Sequence, residues 1–292
     1  MGKKMRIGER AQHRQLDEKL AKIATTDAEV LISGPSGVGK ELYARYVHQC
    51  SPRSTAAFVP VNCGALPGDL LENEFFGHVE GAFTGARSHS EGMVAMAEGG
   101  TLFLDEVDAL ALISQVKLLR FLQEKEYRRL GETRLRQANV RIIAATNTDL
   151  RAAVHAGRFR EDLFFRLHVV PVAVPALRER PDDIPVLLKE YITHYAQAYQ
   201  FPPLTFSEAA LTRLQRYAWP GNIRELENCV HYLVCLQLAH PVQPLDLPLL
   251  PNEEQAQASG QQSMAQSGEA MCLAPGMTQM PYNEAKRDLV DH

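Results

Sequence analysis

"GPSGVGKE", Gly34 to Glu41, stands between an apolar run, "EVLIS", and a segment of helical spacing, "KELYARYVHQ". Its spacing is G-x-x-x-x-G-K. Gly34, Gly37 and Gly39, with Pro35, Ser36 and Val38 between them, let the backbone curl around phosphate oxygens, and Lys40 brings a positive charge to a helix N-terminus. The residue after such a lysine is usually Ser or Thr, whose hydroxyl holds magnesium; here it is Glu41. A glycine-rich turn with one lysine can be purely structural. The strand before it and the helix after it favour phosphate binding, and the candidate loop runs from Gly34 to Glu41.

The rest of the chain supplies a setting for that loop. Further strand-like runs, "FVPVNC", "TLFLDE" and "VRIIAAT", alternate with helical segments such as "SQVKLLRFLQE". This alternation predicts an α/β domain in which helices cover a parallel sheet. "TLFLDE" delivers Asp105 and Glu106 to the carboxyl end of a strand, where open α/β sheets place their ligands. Asp105 is then suited to holding a metal, directly or through water, and Glu106 to polarising a water that attacks a γ-phosphate. "VRIIAATN" ends in Asn147, a candidate for orienting the same water. "GRFREDLFFRL" carries Arg160 and Arg166 on a predicted helix; a planar guanidinium reaching across a subunit interface can stabilise a transferring phosphoryl group.

After "VPALRERPDD" the strand pattern stops. From Asp182 to about His240 the patterned segments are helical, and Ser207 is a predicted N-cap. "WPGNIRELEN" opens the last of these helices at Gly221 and Asn222, with Arg224 one turn in, placed to report nucleotide state to the helical part. Beyond Pro241 the composition shifts to Gln, Ser, Gly, Ala, Met and Pro, which cannot bury enough apolar surface to fold alone. The expected division is an α/β part over 1–175, a small all-α part over 176–248, a linker over 249–280 and the start of a further helix over 281–292.

Bulk properties restrict the alternatives. The 292 residues are 45% hydrophobic and 23% charged, with a formal net charge of -4. That balance suits a folded, multi-part chain and argues against one that coats nucleic acid through bulk positive charge. No apolar run of membrane-spanning length and no secretory leader pattern is seen, so the cytoplasm is the expected location and no membrane partner is expected. The cysteines, Cys50, Cys63, Cys229, Cys235 and Cys272, form no CxxC pair and read as reduced and mostly packed.

"EGAFTGA", Glu80 to Ala86, puts a single aromatic on backbone bracketed by glycines. With "GPSGVGKE", "NCGAL", "NEFFGH", "GGTLFLDEV", "QVKLLRFLQE", "FREDLFFRL", "PALRER" and "WPGNIRELEN", it makes residues 7–248 resemble the AAA+ central domain of bacterial enhancer-binding proteins, the activators of sigma-54 RNA polymerase. In that family Glu also commonly follows the P-loop lysine, whereas Pro35 stands where Glu is typical. The resemblance implies an AAA+ P-loop NTPase fold with a helical lid, ATP as substrate and Mg2+ as cofactor. It implies that Lys40 and its loop bind the triphosphate, Asp105 the magnesium and Glu106 the attacking water. Asn62 matches the residue that couples hydrolysis to loop position, Asn147 the first sensor, Arg160 and Arg166 the fingers acting in trans, and Arg224 the second sensor. Gly81, Ala82, Phe83, Thr84, Gly85 and Ala86 would engage sigma-54. The family context adds a homo-oligomeric ring, expected to be a hexamer, RNA polymerase as partner, and enhancer DNA bound through a helix-turn-helix domain of which 281–292 resembles the start. The chain then reads as part of a longer signal-responsive regulator. Two other readings stand beside this one: an AAA+ remodeller of a different protein, and a nucleotide-stabilised oligomer that tethers DNA without productive hydrolysis.

Overall fold

The computed structural model describes residues 11–65, 68–83, 86 and 88–249. Thr84 and Gly85, Cys272, and the expected linker and helix start beyond Leu249 lie outside the described residues. Along the chain run helix α1 (Ala11–Ala24), strand β1 (Val30–Ser33), α2 (Lys40–Gln49), β2 (Phe58–Asn62), α3 (Gly68–Phe76), β3 (Gly77–His78), β4 (Ser90–Glu91), α4 (Met93–Met96) and β5 (Thr101–Asp105). There follow α5 (Leu112–Glu124), β6 (Glu126–Tyr127), β7 (Arg136–Gln137), β8 (Arg141–Thr146), α6 (Leu150–His155), α7 (Glu161–Leu167), β9 (Val170–Ala173), α8 (Ile184–Tyr199), α9 (Glu208–Arg216) and α10 (Asn222–Leu236).

Five of the strands form one parallel sheet in the order β2-β5-β8-β1-β9. Its central strand, "RIIAAT", is buried at every residue, as a strand covered on both faces must be. Successive residues feed opposite layers. Ile32, Ile143 and Phe103 pack with Tyr43 and Val47 of α2 on one face, while Leu31, Ile142 and Leu104 pack with Phe121 of α5 and Leu163 of α7 on the other. The two strands that contain proline, β2 with Pro60 and β9 with Pro171, are the two edges, where a missing ladder N–H is tolerated. Buried Arg141, at the start of β8, donates to the carbonyls of Ile23 and Ala24 and so closes the C-terminus of α1.

Two antiparallel hairpins, β3 with β4 and β6 with β7, stand apart from this sheet. A bridge between His78 and Leu130, with Val79 N donating to Leu130 O at 3.1 Å, ties the two insertions together.

The helical part has its own apolar cluster, drawn from Leu177 to Leu249 around Trp219, whose indole N–H donates to Leu214 O at 2.8 Å. Ser207 caps α9 by accepting from Ala210 N, as its sequence position predicts. Among the described residues no helix is long and apolar enough to cross a membrane.

Of the described cysteines, Cys63 and Cys229 are buried and Cys50 and Cys235 exposed. Burial pushes the thiols of Cys63 and Cys229 up to about 12. Iodoacetamide at mildly alkaline pH is expected to alkylate Cys50 and Cys235 in the folded protein and to spare Cys63 and Cys229, with peptide mass spectrometry as the readout.

Candidate functional site

Three strands of the sheet present their carboxyl ends side by side. β1 leads into the glycine loop, β8 lies next to it, and β5 lies beyond β8. The loop needs its glycines for two separate reasons. Gly37 and Gly39 have φ of 76° and 90°, the left-handed region in which L side chains are strained. At Gly34 a Cβ would lie 2.6 Å from the Val174 carbonyl oxygen, so close backbone approach demands glycine there. Lys40 begins α2 and is buried; its ammonium donates to the carbonyls of Gly34 at 2.9 Å and Pro35 at 3.1 Å. Burial draws its pKa down, opposed by Asp105, Asp108 and Glu106. Those three carboxylates therefore act on the same ammonium. Glu41 points elsewhere, accepting from Arg45 Nε at 2.8 Å.

Asp105 ends β5, and its Oδ1 accepts from Glu106 N at 2.9 Å. Glu106 has φ 53° and ψ 45°, left-handed backbone in a non-glycine residue, a placement that costs about 1–3 kcal/mol and recurs where a side chain must be aimed. Its carboxylate closely approaches the turn after β2: a Cβ at Gly64 would lie 2.5 Å from Glu106 Oε2 and 3.3 Å from Asn62 Oδ1. Asn62 and Glu106 thus flank one glycine. Asn62 Oδ1 accepts from Gly64 N and Ala65 N, an Asx turn that uses its oxygen locally. Asn147 is exposed just past β8, between the loop strand and the acid strand in sheet order.

The helical part grips the loop from its other side. Asn222, buried and with φ 54°, accepts from Leu177 N and donates from Nδ2 to Ser36 O, both at 2.9 Å. Ile223 N donates to Gly37 O at 2.9 Å. Arg180, also buried, donates to Val38 O at 2.9 Å and to the Tyr43 hydroxyl at 3.1 Å. Arg224 is exposed directly over the loop, since a Cβ at Gly37 would lie 3.3 Å from its Cβ.

The two candidate fingers lie away from this cluster. Arg160 is the N-cap of α7 rather than part of its helical turns, because the helix begins at Glu161, and its guanidinium grips both carboxylate oxygens of Asp162. Arg166 donates to Leu122 O at 2.7 Å and pairs with Glu29 at 3.3 Å. Glu29 directly precedes β1, so Arg166 is anchored at the end of that strand opposite to the glycine loop. Phe83 is 45% exposed, edge-on to His78 with ring centroids 5.1 Å apart. Gly81, with φ 80°, donates to Ala86 O, Ala86 N donates to Phe83 O, and Ala86 is buried. Ala82 rests on the second insertion, where a Cβ at Gly131 would come within 2.8 Å of the Ala82 Cβ.

Residues 6–173 match the family model described as the sigma-54 interaction domain, and residues 178–264 match the AAA+ ATPase lid domain. The chain belongs to the sigma-54 interaction domain family. Similar proteins include the response regulator PilR of Pseudomonas aeruginosa, 47% identical over 243 residues that cover 83% of this chain and 55% of PilR. The transcriptional regulatory protein ZraR of Escherichia coli is 46% identical with the same coverage. Among solved structures, NtrX from Brucella abortus in complex with ATP superposes with a TM-score of 0.78 at 34% identity, covering 91% of this chain and 62% of NtrX. The same protein with ADP gives a TM-score of 0.78 at 33% identity, covering 90% and 62%. The chain spans about half the length of the curated relatives it matches.

Several features of this sigma-54 interaction domain and its lid carry no local sequence signal. Arg180 and Asn222 are buried pins between lid and loop. Asp108, beyond the acid pair, accepts from the Thr146 hydroxyl at 2.6 Å and ties the end of β8 to the turn after β5. Gly37→Ala is expected to weaken the lid clasp, because its Cβ would lie 2.3 Å from the Gly221 carbonyl oxygen on left-handed backbone. We expect nucleotide affinity, read by fluorescent ATP-analogue titration, to fall about tenfold or more, as a rigid backbone clash leaves no cheap relaxation.

Proposed function

We propose that the chain is an ATPase that works as a ring, with nucleotide between neighbouring subunits, and that it remodels the sigma-54 RNA polymerase closed promoter complex through Phe83 and Thr84. The observation that carries this reading is the separation of the parts. The loop, the acids and Asn147 share the carboxyl edge of the sheet, while Arg166 is tied at the amino end of β1, so the Arg166 guanidinium would serve the γ-phosphate of a neighbouring copy rather than its own. Six subunits are the expected number.

The geometry supports the following roles. Lys40 would let go of the Gly34 and Pro35 carbonyls and neutralise phosphate charge. Asp105 fits a hard cation of the Mg2+ type, which favours one or two carboxylates together with substrate phosphates over an all-protein cage. Glu41, turned to Arg45, is no candidate ligand. Bound magnesium would neutralise charge on the β- and γ-phosphates. Glu106 would polarise the attacking water, with Asn147 orienting it. Asn62, next to Glu106 across Gly64, would report the γ-phosphate toward α3 and the "GAFTGA" turn. Arg224 would report it to the lid. A nucleotide shifts a conformational equilibrium only by its differential affinity for the two states, so contacts to the γ-phosphate must differ between raised and folded turns. Enhancer DNA would be bound by other parts of the parent regulator.

Phosphate release measured across a range of protein concentrations tests the reading. Specific activity is expected to rise as subunits assemble, and to be accompanied by capture of sigma-54 in the presence of a transition-state mimic of ATP. A specific activity independent of concentration would refute the shared site, and phosphate release without sigma-54 capture would favour a different protein target.

A further inference from the structure

The carboxylate of Glu29 is shared. Its Oε1 lies 3.3 Å from Arg166 and 3.6 Å from Lys125, and its side chain is 14% exposed. Lys125 reaches it from left-handed backbone at the C-cap of α5, while Arg166 comes from the last turn of α7, so two separate helices converge on one negative charge. Burial lowers the pKa of Lys125, Glu29 raises it and Arg166 lowers it again. Arg166 is incompletely satisfied. Its NH2 serves both Leu122 O and Glu29, its Nε is buried without a hydrogen-bond partner, and its side chain remains 35% exposed. A guanidinium with unfilled donors on a partly open surface is set up to take a stronger, multi-oxygen acceptor.

We infer that Glu29 is a positioning residue that holds Arg166 in a parked pose, from which a neighbouring subunit's γ-phosphate draws it, and that Lys125 makes the exchange easy by keeping the vacated carboxylate paired. The inference rests on the trans role proposed for Arg166. With ATP next door the guanidinium trades one carboxylate for phosphate oxygens; with ADP it returns to Glu29. No carboxylate is left bare in either state, and that avoids the largest penalty of breaking a partly buried pair. Arg160 has no such partner exchange, since its carboxylate, Asp162, sits on the same short helix and both are open to water.

The test uses the whole chain and two substitutions with opposite expected signs. Glu29→Gln frees Arg166 and is expected to lower the protein concentration at half-maximal specific ATPase activity about two- to fivefold, the worth of a partly exposed ion pair. Lys125→Met leaves Glu29 wholly to Arg166 and is expected to raise that concentration by a similar factor. A merely structural role would make both variants worse. Both moving the same way, or neither moving, would overturn the inference. A general charge effect is separated by repeating Glu29→Gln in an Arg166→Ala background, with ring assembly on a non-hydrolysable ATP analogue read by sedimentation: the shift should vanish, and its persistence would also overturn the inference. The underlying reading fails separately. If Arg166→Ala alone keeps full turnover, the trans role falls; if it is inactive while Glu29→Gln is silent, only the parking role falls.

Discussion

Arg166→Ala is expected to leave ATP binding within about twofold of the parent and to cut phosphate release about 10³-fold or more, the range over which a trans-acting arginine contributes. Binding should survive because the groups that would grip ATP, Lys40 and the loop backbone, and the residues that pin the lid to that loop, Asn222 and Arg180, lie at the far end of β1 from Arg166. Folding should survive as well. The side chain is 35% exposed, and its loss removes one bond to Leu122 O and one shared ion pair. The substitution therefore separates positioning of ATP from stabilisation of charge in the transition state. Mixing the variant with a protein disabled at Glu106 gives a sharper form of the test. Each lacks one half of the site, and mixed rings contain some interfaces with an intact Glu106 on one side and an intact Arg166 on the other. Recovery of phosphate release on mixing is the expected result, and two inactive proteins that stay inactive together would show that Arg166 does not act across the interface.

How far the sequence alone leads can be judged from the same residues. The buried central strands were legible because "TLFLDE" and "VRIIAAT" are continuous apolar runs, which parallel strands covered on both faces require. The glycine loop was legible because its spacing repeats a backbone constraint, here visible as positive φ at Gly37 and Gly39. By contrast β9 escaped notice, since Pro171 interrupts its pattern and only an edge position accommodates that proline. The short hairpins escaped for lack of length: two-residue strands have no period to read. Glu29, Arg180 and Asn222 escaped for a different reason. Their partners lie far off in sequence, Arg180 binding at Val38 and Asn222 at Ser36, and a long-range polar contact leaves no mark on the residues beside it.

Phe83→Ala is expected to leave ATP hydrolysis and its concentration dependence unchanged while abolishing promoter opening with sigma-54 RNA polymerase, read by permanganate footprinting or a single-round transcription assay. The local fold asks little of this ring. His78 meets it edge-on, and 45% of the residue faces solvent. Replacing a side chain so placed usually changes stability by no more than about 0.5 kcal/mol. An aromatic anchor buried by a partner is worth much more, about 2–4 kcal/mol at an interface centre, or roughly 30- to 10³-fold in affinity. The backbone bonds from Gly81 N to Ala86 O and from Ala86 N to Phe83 O should persist, because they do not involve the ring. Thr84→Ala should share the phenotype if the two residues meet sigma-54 together. Loss of hydrolysis in Phe83→Ala would instead assign the ring to the ATPase cycle. Normal promoter opening would remove the aromatic from the contact and leave the exposed ring without a purpose that this geometry explains.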